Sequence, residues 1–332
     1  MPAFRFLRVR YAKSLLQVLE NSGLPTGRSL SAAGLEKAEL KAENWMPIAQ
    51  LSTFIEEIIR EHGYWDLGLT AAMLPRVQHS SFSHKTLFEP TLFQSLQSIC
   101  SRIHMEDTSA LFRLIRDDND CWIHCGTVEG GRETVRQVEL YRLGAMIDTI
   151  RYTAGANWLP ETVQLQSIDD GRLQDVELFR DINIRFNSPG LSISVPNHLL
   201  PKTPDLNRFT HIDESTDSDT VDSAPYTFEM ATKTLIQNQI ELGNNHVDDV
   251  ARWLGTSTRS LQRHLAAQNT SFSILLEQSR IERAQEMLRS TSLTHRDISR
   301  ALGYRHQTDF SRAFGRVCGV TPRQFRSMVQ ND

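Results

Sequence analysis

The chain has 332 residues, of which 39% are hydrophobic and 23% charged, an ordinary balance for a soluble globular protein and more length than one compact core usually takes. This composition excludes a disordered or fibrous chain, no apolar run approaches the roughly 18 residues of a membrane span, and four cysteines are too few for a disulfide framework. The net charge of −4 is unevenly spread: residues 225–332 carry 14 Lys and Arg against 10 Asp and Glu, and all of those cations except Lys233 are arginines, whereas residues 1–224 carry 22 against 30.

The first twenty residues are basic, with no acid before Glu20, a feature of transit peptides. Leu7, Tyr11, Leu15 and Leu19 nevertheless recur every four residues, so an amphipathic helix is predicted over 6–20. No secretory apolar core with a small-residue cleavage site follows, which places the protein in the cytoplasm as an expectation. Helical patterns continue over 47–61, 91–104 and 134–152. Strand-like stretches appear at Ser109–Ile115, Cys121–Thr127 and Leu191–Val195. Residues 1–204 are therefore expected to form a mixed α/β (α+β) domain. Cys121 and Cys125 flank His124, which raises the possibility of a metal site. Zinc needs about four ligands and no second cluster completes a set, so alternation along a strand is the preferred reading. Trp45, Trp65, Trp122, Trp158 and the Phe-rich stretch 82–93 are candidates for a pocket lining, with plain core as the commoner role of such residues.

Residues 201–225 are rich in Pro, Thr, Ser and Asp and read as an interdomain linker, its acidic part spanning 205–224. Asp217 and Asp219 resemble a calcium loop only superficially, because Val221 holds the next ligand position and the turn glycine is missing. Beyond the linker, helix boundaries become legible. Thr227 is expected to cap a helix bearing Phe228, Ala231, Leu235 and Ile240 and ended by Gly243. Asn245 and Asp248 form a capping-box pattern ahead of Val250, Ala251 and Leu254, and Ser257 caps a helix that buries Leu261 and Leu265. A long helix over Phe272–Arg289 is expected to bury Ile274, Ile281, Ala284 and Leu288. Thr294 and Asp297 form a second capping box, Phe310 and Phe314 mark a further helix ending near Gly319, and Thr321 precedes a last helix with Pro322 at its first position.

Two segments of this region, 249–268 and 297–317, share one grammar. Each has an acid, a β-branched core residue (Val250 or Ile298) and a small residue (Ala251 or Ser299). Leu-Gly follows at 254–255 or 302–303, and then a short polar helix with a buried pair. The glycine permits the sharp exit from the first helix, and the whole is the helix-turn-helix plan, in which one helix braces the backbone while the next enters the major groove. A single copy is common in helical bundles. Two copies 48 residues apart, joined by one long helix in the only net-basic region, are far more specific.

From about Thr227 to Met328 these segments, with SRIERAQEML, Q-x-x-F-S-R-A-F and GVTPRQFR, resemble the C-terminal domain of AraC/XylS-type activators. Ser299 stands where that family usually has alanine, and Arg305–His306 replaces a small or acidic pair, which would shift phosphate contacts. Phe54–Leu69, Thr91–Ile103, 138–160 and 178–203 resemble the arabinose-binding-like domain of many such regulators. The resemblance implies an N-terminal effector and dimerisation domain (1–204) and an all-α C-terminal domain (225–332) with two helix-turn-helix motifs. It implies that Arg259, Gln262 and Arg263 reach base edges from one recognition helix, and Gln307, Thr308, Ser311 and Arg312 from the other. The chemistry agrees, since Arg suits guanine, Gln adenine, and hydroxyls either; Arg263 and Arg312 could instead meet phosphate. Arg280 and Arg283 are expected to be structural or phosphate-facing. The implied partners are double-stranded DNA, RNA polymerase, a second copy of the chain and a small-molecule effector, without membrane, metal or cofactor. No Walker A loop, GxGxxG, HExxH or GxSxG is present, so no enzymatic activity is expected. The rival to DNA binding is a helical domain that binds protein.

Overall fold

The computed structural model describes residues 5–35, 37, 40–74, 86, 89–205, 227–240 and 246–329. The linker reading over 206–225, half of the Phe-rich stretch 82–93, Gly243 and the Asn245 cap lie outside the described residues.

The N-terminal domain is mixed α/β, as expected. Its chain order is β1 (Phe6–Arg8), α1 (Arg10–Asn21), α2 (Gly27–Ala32), β2 (Trp45–Pro47), α3 (Ile48–His62), α4 (Leu67–Ala72) and α5 (Leu92–Arg102). There follow β3 (Arg113–Arg116), β4 (Asp120–His124), α6 (Arg132–Ala154), β5 (Thr162–Gln164), β6 (Asn183–Arg185) and β7 (Ser192–Pro196). Five strands form a sheet in the order β3-β4-β7-β5-β6, antiparallel except for the β5–β6 pair. Strand alternation explains the Cys-Trp-Ile-His-Cys run: Cys121, Ile123 and Cys125 are buried, while Trp122 and His124 face the other way. His124 Nδ1 lies 2.7 Å from Ser192 Oγ. Cys121, Ile123 and Cys125 share a core with Val163, Ile193 and Val195 and with Leu96, Leu143 and Ile147 of α5 and α6.

The predicted helix over 6–20 needs correction at its start. Residues 6–8 form β1 and pair antiparallel with β2, Leu7 opposite Met46, so Leu7 enters the core from a strand. The expected strand at Ser109–Ile115 begins only at Arg113. The helices over 47–61, 91–104 and 134–152 are present as α3, α5 and α6.

Helix α6 runs through the middle of this domain, and its most deeply buried polar residues, Thr134, Arg136, Gln137, Glu139 and Arg142, each have a partner as burial demands. Gln137 accepts from the Gly68 N–H at 2.8 Å and donates to Trp65 O at 2.6 Å. Glu139 accepts from the N–H groups of Gln166 and Ser167 at 2.6 and 2.8 Å. Arg142 donates to Asp107 Oδ2 at 2.9 Å and Cys125 O at 3.2 Å, and Arg136 pairs with Asp170. These bonds fasten α6 to the loops around it. Helices α1 to α4 close the domain with a second core, centred on Leu19, Phe54, Ile55 and Ile58.

The C-terminal domain is all helical: α7 (Phe228–Gln239), α8 (Val247–Trp253), α9 (Thr258–Ala267), α10 (Phe272–Ser290), α11 (His295–Ala301), α12 (Gln307–Cys318) and α13 (Pro322–Val329). Side-chain caps fix the helix starts: Thr227, Ser257, Ser271 and Thr294 each accept a hydrogen bond from an N–H three residues on. On α10 the expectation for Ile274 fails. It is 48% exposed, and Leu275 takes the core position, with Ile281, Ala284 and Leu288 buried as predicted.

The two domains meet at a seam that the sequence did not suggest. Phe6 and Trp45 of the β1–β2 ribbon belong to the same hydrophobic core as α7 to α12. The indole of Trp253, at the end of α8, packs against Gly34; a Cβ at residue 34 would fall 2.1 Å from it. Gln239 Nε2 donates to Gly34 O, and the Arg8 guanidinium sits 4.1 Å above the Trp45 ring.

Candidate nucleic-acid interface

The repeated grammar folds into repeated geometry. Gly255 ends α8 in the left-handed region at φ +64°, and Gly303 ends α11 at φ +75°. In the first copy Gly255 N–H donates to Arg252 O and Thr256 N–H to Ala251 O, both at 2.9 Å. In the second, Gly303 N–H donates to Arg300 O and Tyr304 N–H to Ser299 O, both at 3.0 Å. The two turns thus close the same orphan carbonyls with the same pair of bonds. Ser299 is as buried as Ala251, so the hydroxyl variant fits the same close helix crossing.

Each turn delivers a recognition-type helix with two faces. On α9, Leu261 and Leu265 are fully buried, while Arg259, Gln262 and Arg263 are exposed on the opposite face. On α12, Phe310 and Phe314 are buried edge-to-face with centroids 5.8 Å apart, while Gln307, Thr308 and Arg312 are exposed and Ser311 is half-buried. The i, i+3, i+4 spacing places each polar set along one stripe. None of the seven side chains makes a hydrogen bond or an ion pair with another described residue.

That last property separates them from other arginines of the domain. Arg252 pairs with Asp249, and Arg283 and Arg316 pair at 2.6 Å with Glu286 and Glu277. Arg289 lies 5.2 Å from the Phe325 ring. Arg280, half-buried, lies 5.2 Å above Tyr304, and burial lowers its pKa. Arg280 and Arg283 are thus engaged within the domain. Arg296, Arg300, Arg305 and Arg323 are exposed around the second motif without a described ion-pair partner. They add positive charge beside α12.

The profile described as the arabinose-binding domain of AraC transcription regulator, N-terminal, matches residues 23–203. A helix-turn-helix domain profile matches residues 250–328. The chain belongs to the AraC family of transcription regulators. An uncharacterized HTH-type regulator of Mycobacterium tuberculosis is 42% identical over 77 residues, covering 23% of this chain and 22% of that one. The ornithine utilization regulator of Pseudomonas aeruginosa is 35% identical over 80 residues, 24% of each chain. The chain thus spans less than a quarter of the length of these relatives. Among solved structures, the regulator CdpR of Pseudomonas aeruginosa aligns over 96% of this chain and 98% of its own, at 15% identity and a TM-score of 0.44. The C-terminal domain of AraT from Geobacillus stearothermophilus aligns over 32% of this chain and 88% of its own, at 32% identity and a TM-score of 0.29.

The two profiles together describe DNA-binding transcription regulators as a family. Sequence reasoning located both motifs and both polar stripes. It missed the seam. Trp253 reads as one more apolar position of the first motif, and Gly34 is a lone glycine between helices, so neither carries a local signal of the other.

Proposed function

We propose that this AraC-family regulator reads two adjacent major-groove segments, about 34 Å apart, through Arg259, Gln262 and Arg263 of α9 and Gln307, Thr308, Ser311 and Arg312 of α12. The observation that carries this reading is the pair of equivalent stripes whose side chains make no hydrogen bond or ion pair among the described residues. Free donors on a well-packed helix need no internal bond broken before they meet a base edge. The remaining exposed arginines supply phosphate contacts, which position the protein without reading sequence. The domain division is 1–204 for sensing and pairing, 205–224 for the linker and 225–332 for DNA.

The regulator acts in the cytoplasm, without catalysis, alongside RNA polymerase and under control of a small molecule held by the N-terminal domain. It works as a homodimer through residues 1–204, because two bipartite readers held together gain avidity. Sedimentation of the full-length protein at micromolar concentration should show the dimer; a monomer there refutes it.

Genome-wide mapping of bound DNA with the wild type and an Arg263→Ala/Arg312→Ala pair tests the reading itself. A motif spanning two major grooves, lost in the pair, is the expected result. Arg263→Ala alone should cost about 1–3 kcal/mol on the specific site, and a uniform loss on unrelated sequences assigns it to phosphate. Binding that ignores both substitutions and is insensitive to salt would favour a protein partner instead, since phosphate contacts weaken steeply with salt.

A further inference from the structure

The N-terminal domain encloses a cavity of about 130 Å³ between α1, α3, α5 and α6. A dry, apolar cavity of about 150 Å³ is known to take up benzene, so this one is of a size for a single small ring or a branched aliphatic group. Leu15, Ile55, Ile99, Phe112 and Met146 make most of its wall apolar, with Ala145 among them as the small residue.

Polar side chains also reach it, among them those of Tyr11, Tyr141 and Thr149, and several others are already committed. Gln137 is bonded at both ends of its amide to Gly68 and Trp65. Asp107 accepts from the Ser109 N–H and hydroxyl and from Arg142, whose other amino group is held by Cys125 O. Arg10 and Glu106 face each other there, with Arg10 Nη2 also 3.4 Å from Glu43 Oε2. Arg10 Nε is buried without a hydrogen bond. It stands 3.5 Å from Glu106 Oε2, too far for a good bond. The Glu106 side chain is 7% exposed, and burial raises its pKa despite Arg10 and Arg8 nearby.

We infer that this cavity is the effector site and that it takes a ring-sized, mainly apolar molecule bearing one oxygen acceptor, seated against Arg10 and Glu106. The inference rests on the small-molecule control proposed above. A sugar does not fit this wall. A pentose carries a hydroxyl on nearly every carbon, and those turned toward Leu15, Ile55, Ile99, Phe112 and Met146 would be buried without partners, which opposes binding. The site also has a route to the DNA-binding half. Leu7, Leu51, Asp107, Val138 and Arg142 line both this cavity and the cleft of about 410 Å³ against which Trp253, Leu254, Gly255 and His264 lie. A molecule that presses on these five residues presses on the back of the first helix-turn-helix.

The test uses the full-length protein with benzyl alcohol, benzoate and L-arabinose at millimolar concentration, read by thermal melting. Either aromatic probe should raise the melting temperature, L-arabinose should not, and Ala145→Leu, which fills the cavity, should abolish the shift. A rise with L-arabinose, no rise with either aromatic, or a shift that survives in a folded Ala145→Leu protein overturns the inference. If Ala145→Leu does not fold, Arg10→Gln serves, with about tenfold weaker probe binding expected for one lost charge-assisted hydrogen bond; undiminished binding overturns the site. DNA affinity measured with the same probes separates the two readings. Probes that raise melting but leave DNA affinity unchanged uphold ligand class and cavity but overturn the effector role. A probe-dependent DNA response that survives Ala145→Leu upholds small-molecule control and overturns this cavity as its seat.

Discussion

His295, in the first turn of α11, illustrates how single residues set the working conditions of the second motif. Its Nε2 is buried without a hydrogen bond, and burial lowers its pKa, reinforced by the charges of Arg326 and Arg323. The neutral ring is therefore the form the fold accepts. A folded pKa below the unfolded value of about 6.5 gives stability that is present above that pH and lost as pH falls through the lowered pKa. The melting temperature is expected to drop below about pH 6.5, and His295→Gln, which cannot take up a proton there, should flatten the decline. Identical acid profiles for the two proteins would show that another group controls it. The same neighbourhood explains why counting arginines is a poor guide to DNA contact. Arg316 is held by Glu277 and Arg280 is stacked on Tyr304, whereas Arg312, in the same helix as Arg316, has no such engagement among the described residues.

Among elements, the two turns are the most transferable units, and Gly255 tests what each glycine is for. A Cβ there would meet nothing within 4 Å, so alanine suffers only the strain of the left-handed backbone, about 1–2 kcal/mol. Gly255→Ala should lower stability in denaturant titrations by that amount and leave the bound DNA motif unchanged; a changed motif would mean that the turn also orients α9. These turns were legible in the sequence because their signals are local: a glycine at φ > 0, a capping hydroxyl three residues before its donor, a buried pair four residues apart. The stretches that resisted reading lacked such signals. The β1, β2, β5 and β6 strands have three residues each, too few for alternation to emerge. Ile274 and Leu275 are adjacent apolar residues in the first turn of α10, and periodicity assigned the core to the wrong one. The long helix carries α7, α13 and α12 on different parts of its surface, so no one stripe describes its whole length. The candidate cavity was equally hidden. Its wall comes from helices far apart in the chain, and none of the four tryptophans singled out lines it.

For the molecule as a whole, the decisive contact is the Trp253 ring on Gly34. Gly34→Ala would add a methyl 2.1 Å from that ring at a residue whose φ is +65°, and the ring shares its core with Phe6 and Trp45, so it has little freedom to retreat. We expect a loss of at least about 2 kcal/mol and a red shift of tryptophan emission as the seam opens. Because the two residues act through one contact, Gly34→Ala combined with Trp253→Ala should destabilise by much less than the separate effects added together; simple additivity would place the damage elsewhere. The seam also bears on how such proteins are inherited. Trp253 belongs to the C-terminal domain by position and touches the N-terminal domain at Gly34, so the two domains are not independent cassettes. A hybrid joined within the acidic stretch would bring the indole without the bare backbone it rests on. Lineages that exchange DNA-binding halves must therefore carry the glycine along or reshape both surfaces together.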